Sequence, residues 1–361
     1  MTAPLDLFAA CAPGLEPLLS TELRELGALE PEAIDGGVRF RGHRRVIFRV
    51  NLMSGLATHV LARVGRFTAL AYDGLEQALV ELPWEDWLAP GVPRTFRVTA
   101  RKSKLGHSGA IAERAARALS ARLCDAPGES EDPVPIAIRI FRDRVHVSVD
   151  TSGAPLHRRG YRTTSGPAPL REDLARALVI ASGWDRTTPL VDPLCGVGTI
   201  PIEAALLAQR RPAGGGRRFA FEQTRWFDAA TWDDVRAKAA AGARDAPTIL
   251  GRDRDAQAIE ASLANAARAG VDVRFEQAPL STPFGIDAPR GAVVTHPPFG
   301  KRMGEGEDLT PLYRAIRAAV PAGWALAVMS EDRRLGMKAG DQLKTAFLTD
   351  AGGLKVRALV G

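Results

Sequence analysis

Hydrophobic positions recur along the chain with two different periods. LDLFAA near the N-terminus reads as a strand; Leu15, Leu18, Leu19, Leu23 and Leu26 then follow at helical spacing, with Gly27 placed to end the helix. GVRFRG at 37–42 alternates as a short strand, and VIFRVNLMSGLATHVLARVGRF predicts a helix leading into a strand. A helix is expected around LEQALVEL, a strand over TFRVTARK (95–102), and an amphipathic helix over 110–124. That helix carries Ile111, Ala115, Leu119 and Leu123 on one stripe, with Arg114, Arg117 and Arg122 off it. The turn formers and acids of DAPGESEDPVP make a loop, and IAIRIF and RVHVSVD follow as strands. Up to about residue 155 this is α+β patterning.

Beyond residue 165 the pattern changes. It predicts a helix at 170–182, strand PLVDP, helix 199–209, strand TILGRD, helix 255–268, strands VRFEQ and AVVTH, helix 309–319 and strand WALAVMS. Strands that alternate with helices imply a parallel sheet covered on both faces, an α/β class. The insert RRPAGGGRRFAFEQTRWFDAATW interrupts this series and reads as a loop with a short helix. No period of 20–50 residues repeats, so a solenoid is not expected.

Composition narrows the class. The 361 residues suggest two or three domains, and 45% hydrophobic with 25% charged residues is the balance of a folded soluble protein. No run of about 18 apolar residues exists, so no membrane span is expected. The N-terminus carries Asp6 inside its apolar stretch with no basic residue before it, unlike a signal peptide. Cys11, Cys124 and Cys195 lie far apart, which fits neither a disulfide framework nor a CxxC metal site; the expectation is a metal-free protein of the reducing cytoplasm. The net charge of +6 permits a polyanionic partner without demanding one, and only seven of the 48 basic residues are lysine. Three clusters place the charge: Arg39 to Arg45 (RFRGHRR), Arg101-Lys102-Ser103-Lys104, and His157 to Arg162 (HRRGYR). Each either neutralises phosphates, with Tyr161 available to stack on a base, or is a solvated loop.

The local chemistry gathers at strand ends. In Asp192-Pro193-Leu194-Cys195-Gly196-Val197-Gly198-Thr199 an apolar strand ends in an acid, a Gly-x-Gly turn follows and a helix begins. Such a turn lets a ligand approach the backbone beside a helix N-terminus. Pro201 stands where a dinucleotide fingerprint needs its third glycine, so a smaller nucleoside carrying a carboxylate, such as S-adenosylmethionine, fits better. Cys195 is expected to be a small packing residue there rather than a nucleophile. One strand later, Asp253 sits where two ribose hydroxyls would be held, with Arg254 beside it and Asp255 expected as the next helix's N-cap. A fourth strand ends in His296-Pro297-Pro298-Phe299. The prolines stiffen this loop, and Phe299 is either a stacking surface or a core phenylalanine of a rigid turn.

Nearly end to end, the chain resembles the THUMP-domain RNA methyltransferases that modify guanine N2 in ribosomal and transfer RNA. The resemblance rests on FAACAPGLEPLLSTELRELG, on VDTSGAPLHRRGYRTTSGPAPLREDLARALVIASGW (its most specific part), on DPLCGVGTIPIEAALLA, FAFEQTRWFD and NAARAGV, and on LYRAI after the proline loop. It implies a ferredoxin-like domain over 1–65, a THUMP domain over 66–155 that holds RNA, and a Rossmann-like methyltransferase domain over 165–361 that uses S-adenosylmethionine. By that likeness Asp192, Gly196 and Gly198 frame the cofactor and Asp253 holds its ribose. Cys195, Thr199 and Arg254 complete the expected cofactor set, and His296, Pro297, Pro298 and Phe299 form the expected catalytic loop. Two positions depart from the family pattern. His296 replaces the Asn or Asp that accepts a hydrogen bond from the target amine; a neutral imidazole offers one acceptor nitrogen and a protonated one offers none. The acid that follows the third strand to bind adenine is missing from Phe275-Glu276-Gln277-Ala278-Pro279-Leu280, where Glu276 or Gln277 could substitute. The leading expectation is thus an RNA methyltransferase, and the alternative is an RNA-binding protein whose methyltransferase domain has lost catalysis.

Overall fold

The computed structural model describes residues 3–124, 132–162, 170–298 and 308–361. Two compact units emerge. One comprises Met1–Cys11, Leu19–Leu156 and Gly216–Ala237, the other Ala12–Leu18, His157–Gly215 and Lys238–Gly361.

The first unit contains β1 (Leu5–Ala10), β2 (Leu29–Ile34), β3 (Gly37–Gly42), β4 (His59–Thr68), β5 (Arg94–Arg101), β6 (Val134–Phe141) and β7 (Arg144–Asp150). They form one sheet in the order β2-β3-β1-β4-β7-β6-β5, and the long strand β4 pairs with both β1 and β7, so the sheet runs unbroken through residue 65. Helices α1 (Glu16–Glu25), α2 (Arg44–Met53), α3 (Tyr72–Val80) and α4 (Ser108–Leu123) belong to this half of the chain. The expected stripe on α4 is the buried one, with Ile111, Ala115, Leu119 and Leu123 at 0% exposure. Strand β2 has no counterpart in the sequence reading, because LEPEAI is mostly exposed and lacks an apolar alternation.

Residues 216–237 leave the second half of the chain to build the core of the first unit. Phe221 packs on Phe48 with ring centroids 4.5 Å apart, and Trp226, Phe227 and Trp232 surround the same Phe48 ring at 5.8–6.0 Å. The insert also holds part of a full helix, α7 (Ala229–Ala241), longer than the short one expected.

In the second unit lie helices α5 (Glu172–Ala181), α6 (Thr199–Ala208), α8 (Ala256–Ala269) and α9 (Thr310–Ala319), with strands β8 (Leu190–Asp192), β9 (Ile249–Asp253), β10 (Arg274–Gln277), β11 (Ala292–Thr295), β12 (Ala325–Ser330), β13 (Lys344–Ala351) and β14 (Leu354–Val360). The sheet order is β10-β9-β8-β11-β12-β14-β13. The first five strands are parallel, as expected, and the C-terminal hairpin β13–β14 adds two strands through an antiparallel pairing with β12. All residues of β8 and β11 are buried, which suits central parallel strands covered on both faces. Along the chain the strand order runs outward from β8 to β10 and then reverses to β11, so the switch point lies between β8 and β11. In open α/β sheets that crevice at the strands' carboxyl ends receives ligands.

Candidate functional site

Asp192 ends β8 and Thr295 ends β11, so the two residues flank the switch point. The Thr295 hydroxyl donates to Asp192 Oδ1 over 2.7 Å, and the Leu194 amide donates to the same oxygen at 3.2 Å. Asp192 is 1% exposed; burial pushes its carboxyl up to about 7, and the neighbouring Asp253 charge adds to the rise.

The turn after Asp192 is shaped by its glycines and gripped from α8. Gly196 has φ +53° and Gly198 φ +81°, both left-handed. A Cβ on Gly198 would stand 3.0 Å from Phe275 Cζ and from Ser262 Cβ, whereas one on Gly196 would meet nothing within 4 Å. Ser262 Oγ donates to the Gly196 carbonyl at 2.8 Å and Asn265 Nδ2 to the Val197 carbonyl at 3.0 Å. Both side chains are fully buried. Cys195 packs inside the turn, its amide bonded to the Arg252 carbonyl at 2.7 Å. Burial pushes its thiol well above the usual range, which disfavours the nucleophilic thiolate. Thr199 opens α6 and is buried.

Asp253 ends β9 and closes the other side of the turn. Its Oδ2 accepts the Gly196 amide and its Oδ1 the Asp255 amide, each at 3.0 Å. Each carboxylate oxygen accepts more than one bond, so a capacity for two further hydroxyl donors remains. Asp255 is the N-cap of α8, accepting the Gln257 amide at 2.9 Å. Arg254 is exposed, and its carbonyl accepts Gln277 Nε2 at 3.1 Å.

Glu276 and Gln277, the two candidates for the place of the missing acid, end β10 and differ in what they bind. Glu276 is bound by Arg252 Nε at 2.7 Å and also pairs with Arg274, so its carboxylate is committed to two guanidiniums. Arg252 itself is 6% exposed, donates to the carbonyls of Thr282, Pro283 and Phe284, and lies 5.7 Å over the Phe284 ring. It thereby pins the loop that follows β10. Gln277 keeps its amide oxygen free of any bond to Arg254, since the nitrogen makes that contact.

Beyond β11, His296 is half-buried, Pro297 buried and Pro298 half-buried, one to three residues past Thr295. Phe299 lies outside the described residues. Among the described residues no cluster of three His, Cys, Asp or Glu could hold a metal, and no helix is long and apolar enough to cross a membrane.

The basic cluster 157–162 is mostly not a phosphate contact, which corrects that reading. Arg159 and Tyr161 are buried and both bind Glu203 Oε1, at 3.4 and 3.2 Å, while Arg176 takes Glu203 Oε2 at 2.8 Å. Arg162 pairs with Glu172 at 2.8 Å. Tyr161 therefore locks α6 in place and is not available to stack. Arg158 alone of the arginines in the cluster is exposed. Four residues escaped the sequence reading: Thr295, Ser262, Asn265 and Arg252. The partners named for them here lie 24 to 103 positions away.

The second unit is thus a Rossmann-like domain with its switch point framed by Asp192, a left-handed glycine turn and Asp253. Sequence comparison identifies the particular family. The profile described as RMKL-like, methyltransferase domain matches residues 159–351, and that of the RlmL ferredoxin-like domain matches 6–61. The chain belongs to the RMKL-like methyltransferase family. It is 35% identical, over 382 aligned residues covering 99% of the chain and 54% of the relative, to the ribosomal RNA large subunit methyltransferase K/L of Syntrophotalea carbinolica. The chain spans about half the length of the curated relatives it matches. Among solved structures it is similar to a predicted N6-adenine-specific DNA methylase from Listeria monocytogenes (31% identity, TM-score 0.87, 98% of this chain and 96% of that one). It is also similar to a methyltransferase complexed with SAH (29% identity, TM-score 0.88, 100% and 98% covered).

Proposed function

We propose that the chain is an S-adenosylmethionine-dependent RNA methyltransferase that modifies the exocyclic N2 of a guanine, with large-subunit ribosomal RNA as the substrate. The observation that carries this reading is the switch point itself: a glycine turn with open space in front of Gly196, an acid at the tip of β9 with spare acceptor capacity, and a buried acid at the tip of β8. These residues fit S-adenosylmethionine. When bound, it supplies an electrophilic methyl group on a sulfonium. Asp253 holds the ribose hydroxyls, the Gly196–Gly198 turn admits the amino-acid part against the N-terminus of α6, and Gln277 takes the adenine amine in place of Glu276. Cys195 and Thr199 pack the turn and Arg254 borders the ribose. The relatives named K/L and the match to the RlmL ferredoxin-like profile support RNA as the partner, and the first half of the chain, with its THUMP domain over 66–155, is the part that holds it.

Transfer requires the amine to be presented with its lone pair toward the methyl group. A guanine flipped out of its stack would be received by the loop His296-Pro297-Pro298-Phe299. The neutral imidazole of His296 accepts one amine hydrogen, the backbone carbonyl at Pro297 accepts the other, the prolines hold both acceptors rigid, and Phe299 stacks on the base. Positioning then supplies most of the acceleration. The reading places the protein in the cytoplasm, beside its substrate.

Incorporation of labelled methyl groups from S-adenosylmethionine into unmodified ribosomal RNA tests the proposal. Label in RNA but not in DNA supports it; label in DNA alone favours the activity printed for the Listeria relative, and no incorporation by folded protein overturns it. One observation favours a second reading, an RNA-binding protein with a silent methyltransferase domain: Glu276 is held by two arginines and so is lost as an adenine acceptor. Calorimetry separates the two, since the second reading predicts no binding of S-adenosylmethionine.

A further inference from the structure

The sheet of the first unit has a buried face, with Leu7, Ala9, Val60, Ala62, Val147 and Val149 at 0–1% exposure, and on its opposite face a cavity of about 430 Å³. Five arginines and a histidine line this cavity: Arg39 from β3, Arg63 and Arg66 from β4, Arg139 from β6, and Arg144 and His146 from β7. The register brings them together. Arg66 and Arg139 both stand opposite His146, on its two sides, and Arg63 stands opposite Ser148. Arg63 and Arg66 are three residues apart and would point to opposite faces of a regular strand. The irregularity between Arg63 and Gly65 inserts a residue and returns both to the same face.

This charge is only partly compensated within the protein. Arg66 pairs with Asp6, and Arg39 with Glu32 at 3.5 Å. Among the described residues no carboxylate pairs with Arg63, Arg139 or Arg144, and the buried Nε of Arg63 has no hydrogen-bond partner. Burial and then the charges of Arg139 and Arg39 hold the Arg63 guanidinium down at about 10. Burial and the charges of Arg63, Arg66, Arg139 and Arg39 push His146 down to about 4, so its imidazole is neutral at pH 7 and adds no charge to the cluster. Uncompensated cations facing one cavity oppose folding, and a bound anion removes that opposition. Phe8, partly exposed and opposite Arg39, lines the same space and offers an apolar wall on which a base can rest.

We propose that this cavity binds the phosphate group of a nucleotide, either free or within a nucleic-acid chain. The guanidiniums match the geometry of phosphate oxygens, and the Phe8 ring matches the attached base. The nucleic-acid form of this proposal rests on the reading that the first half of the chain holds RNA, but neither form depends on methyl transfer, because the cavity lining lies within the first unit.

The test is calorimetric titration of the full chain with inorganic phosphate, uridine, uridine 5′-monophosphate, and an oligoribonucleotide with and without a 5′-phosphate. Wild-type protein should bind the phosphate-bearing probes and not uridine, which lacks the adenine that the switch point would hold. Equal affinity for the mononucleotide and the 5′-phosphorylated oligonucleotide identifies a terminal or free phosphate as the ligand. Tighter binding of the oligonucleotide regardless of its 5′-phosphate identifies the internal phosphodiester. The exposed Arg139→Gln should weaken binding by about tenfold or more. It should also leave the melting temperature equal to or above that of wild type, because it removes one like charge from the cluster. Affinity for S-adenosylmethionine should not change in this variant, which separates failure here from failure of the methyltransferase reading. The proposal is overturned if no phosphate-bearing probe binds, or if Arg139→Gln and Arg63→Gln both bind like wild type. A lowered melting temperature for Arg139→Gln with unchanged phosphate affinity would likewise show that the arginines are structural.

Discussion

Asp192 gives the most quantitative handle on the site. Its carboxyl is buried at the end of β8 and titrates at about 7 rather than near 3.8, and burial is the main cause. A displacement of that size corresponds to about 4 kcal/mol between the two protonation states. The sign follows from proton linkage. The folded protein holds this proton more tightly than the unfolded chain, so the contribution is fully present below pH 4 and is lost as pH rises through 7. Asp192→Asn keeps a neutral oxygen to accept from the Thr295 hydroxyl and the Leu194 amide, and carries no charge to desolvate. The variant and wild type should therefore have similar stability at pH 4. From there the variant should gain steadily relative to wild type, reaching several kcal/mol at pH 8. Denaturant unfolding of both proteins at a series of pH values between 4 and 8 measures the difference directly. A difference that is flat with pH, or one that favours wild type increasingly as pH rises, would refute the argument that desolvation governs this residue.

Other consequences are independent of that one. Gly198→Ala forces a left-handed alanine and a Cβ 3.0 Å from Phe275 and Ser262, so it should cost about 1–2 kcal/mol in unfolding free energy and weaken S-adenosylmethionine binding in calorimetry. Asp253→Ala removes the acceptor at the tip of β9, and S-adenosylmethionine should bind about ten- to a hundredfold more weakly while far-ultraviolet circular dichroism stays unchanged. Arg252→Met removes the ion pair with Glu276 and three bonds to loop carbonyls, which predicts a loss of about 2–4 kcal/mol and faster amide exchange over residues 278–286. For His296→Asn, transfer rates should not rise if the histidine is a working acceptor; appearance of activity from none would show that wild type is silent through this position.

Much of the second unit could be read from the sequence because its signals are local. An apolar run ending in Asp192, a glycine turn and a helix start occupy eleven consecutive residues, and the strand carrying Asp253 repeats the pattern of an acid at a strand tip. What escaped the reading depends on distant contacts. Ser262 and Asn265 look like ordinary polar positions of α8 until their bonds to the Gly196 and Val197 carbonyls are seen. Arg159, Tyr161 and Arg162 looked like a basic surface because the acids that neutralise them, Glu203 and Glu172, lie 10 to 44 residues further on. Residues 216–237 sit in the sequence between α6 and β9 of the second unit, yet their aromatic rings gather around Phe48 of the first; nothing in local patterning carries that information. The bulge that turns Arg63 and Arg66 to one face is similarly invisible, since a period of two assigns them to opposite faces. The edge strand β2 shows the same limit from another side: LEPEAI has no buried position to mark a strand.

The central claim is that the switch point between β8 and β11 serves transfer of a methyl group to a guanine amine in ribosomal RNA. Nucleoside analysis by mass spectrometry, on unmodified large-subunit RNA incubated with the protein and S-adenosylmethionine, tests it most directly. N2-methylguanosine should appear at a single position, and its yield at limiting S-adenosylmethionine should fall about ten- to a hundredfold when Asp253→Ala replaces the wild-type protein. Methylation of any other base, or RNA recovered without a methyl group while S-adenosylmethionine binds, would contradict it.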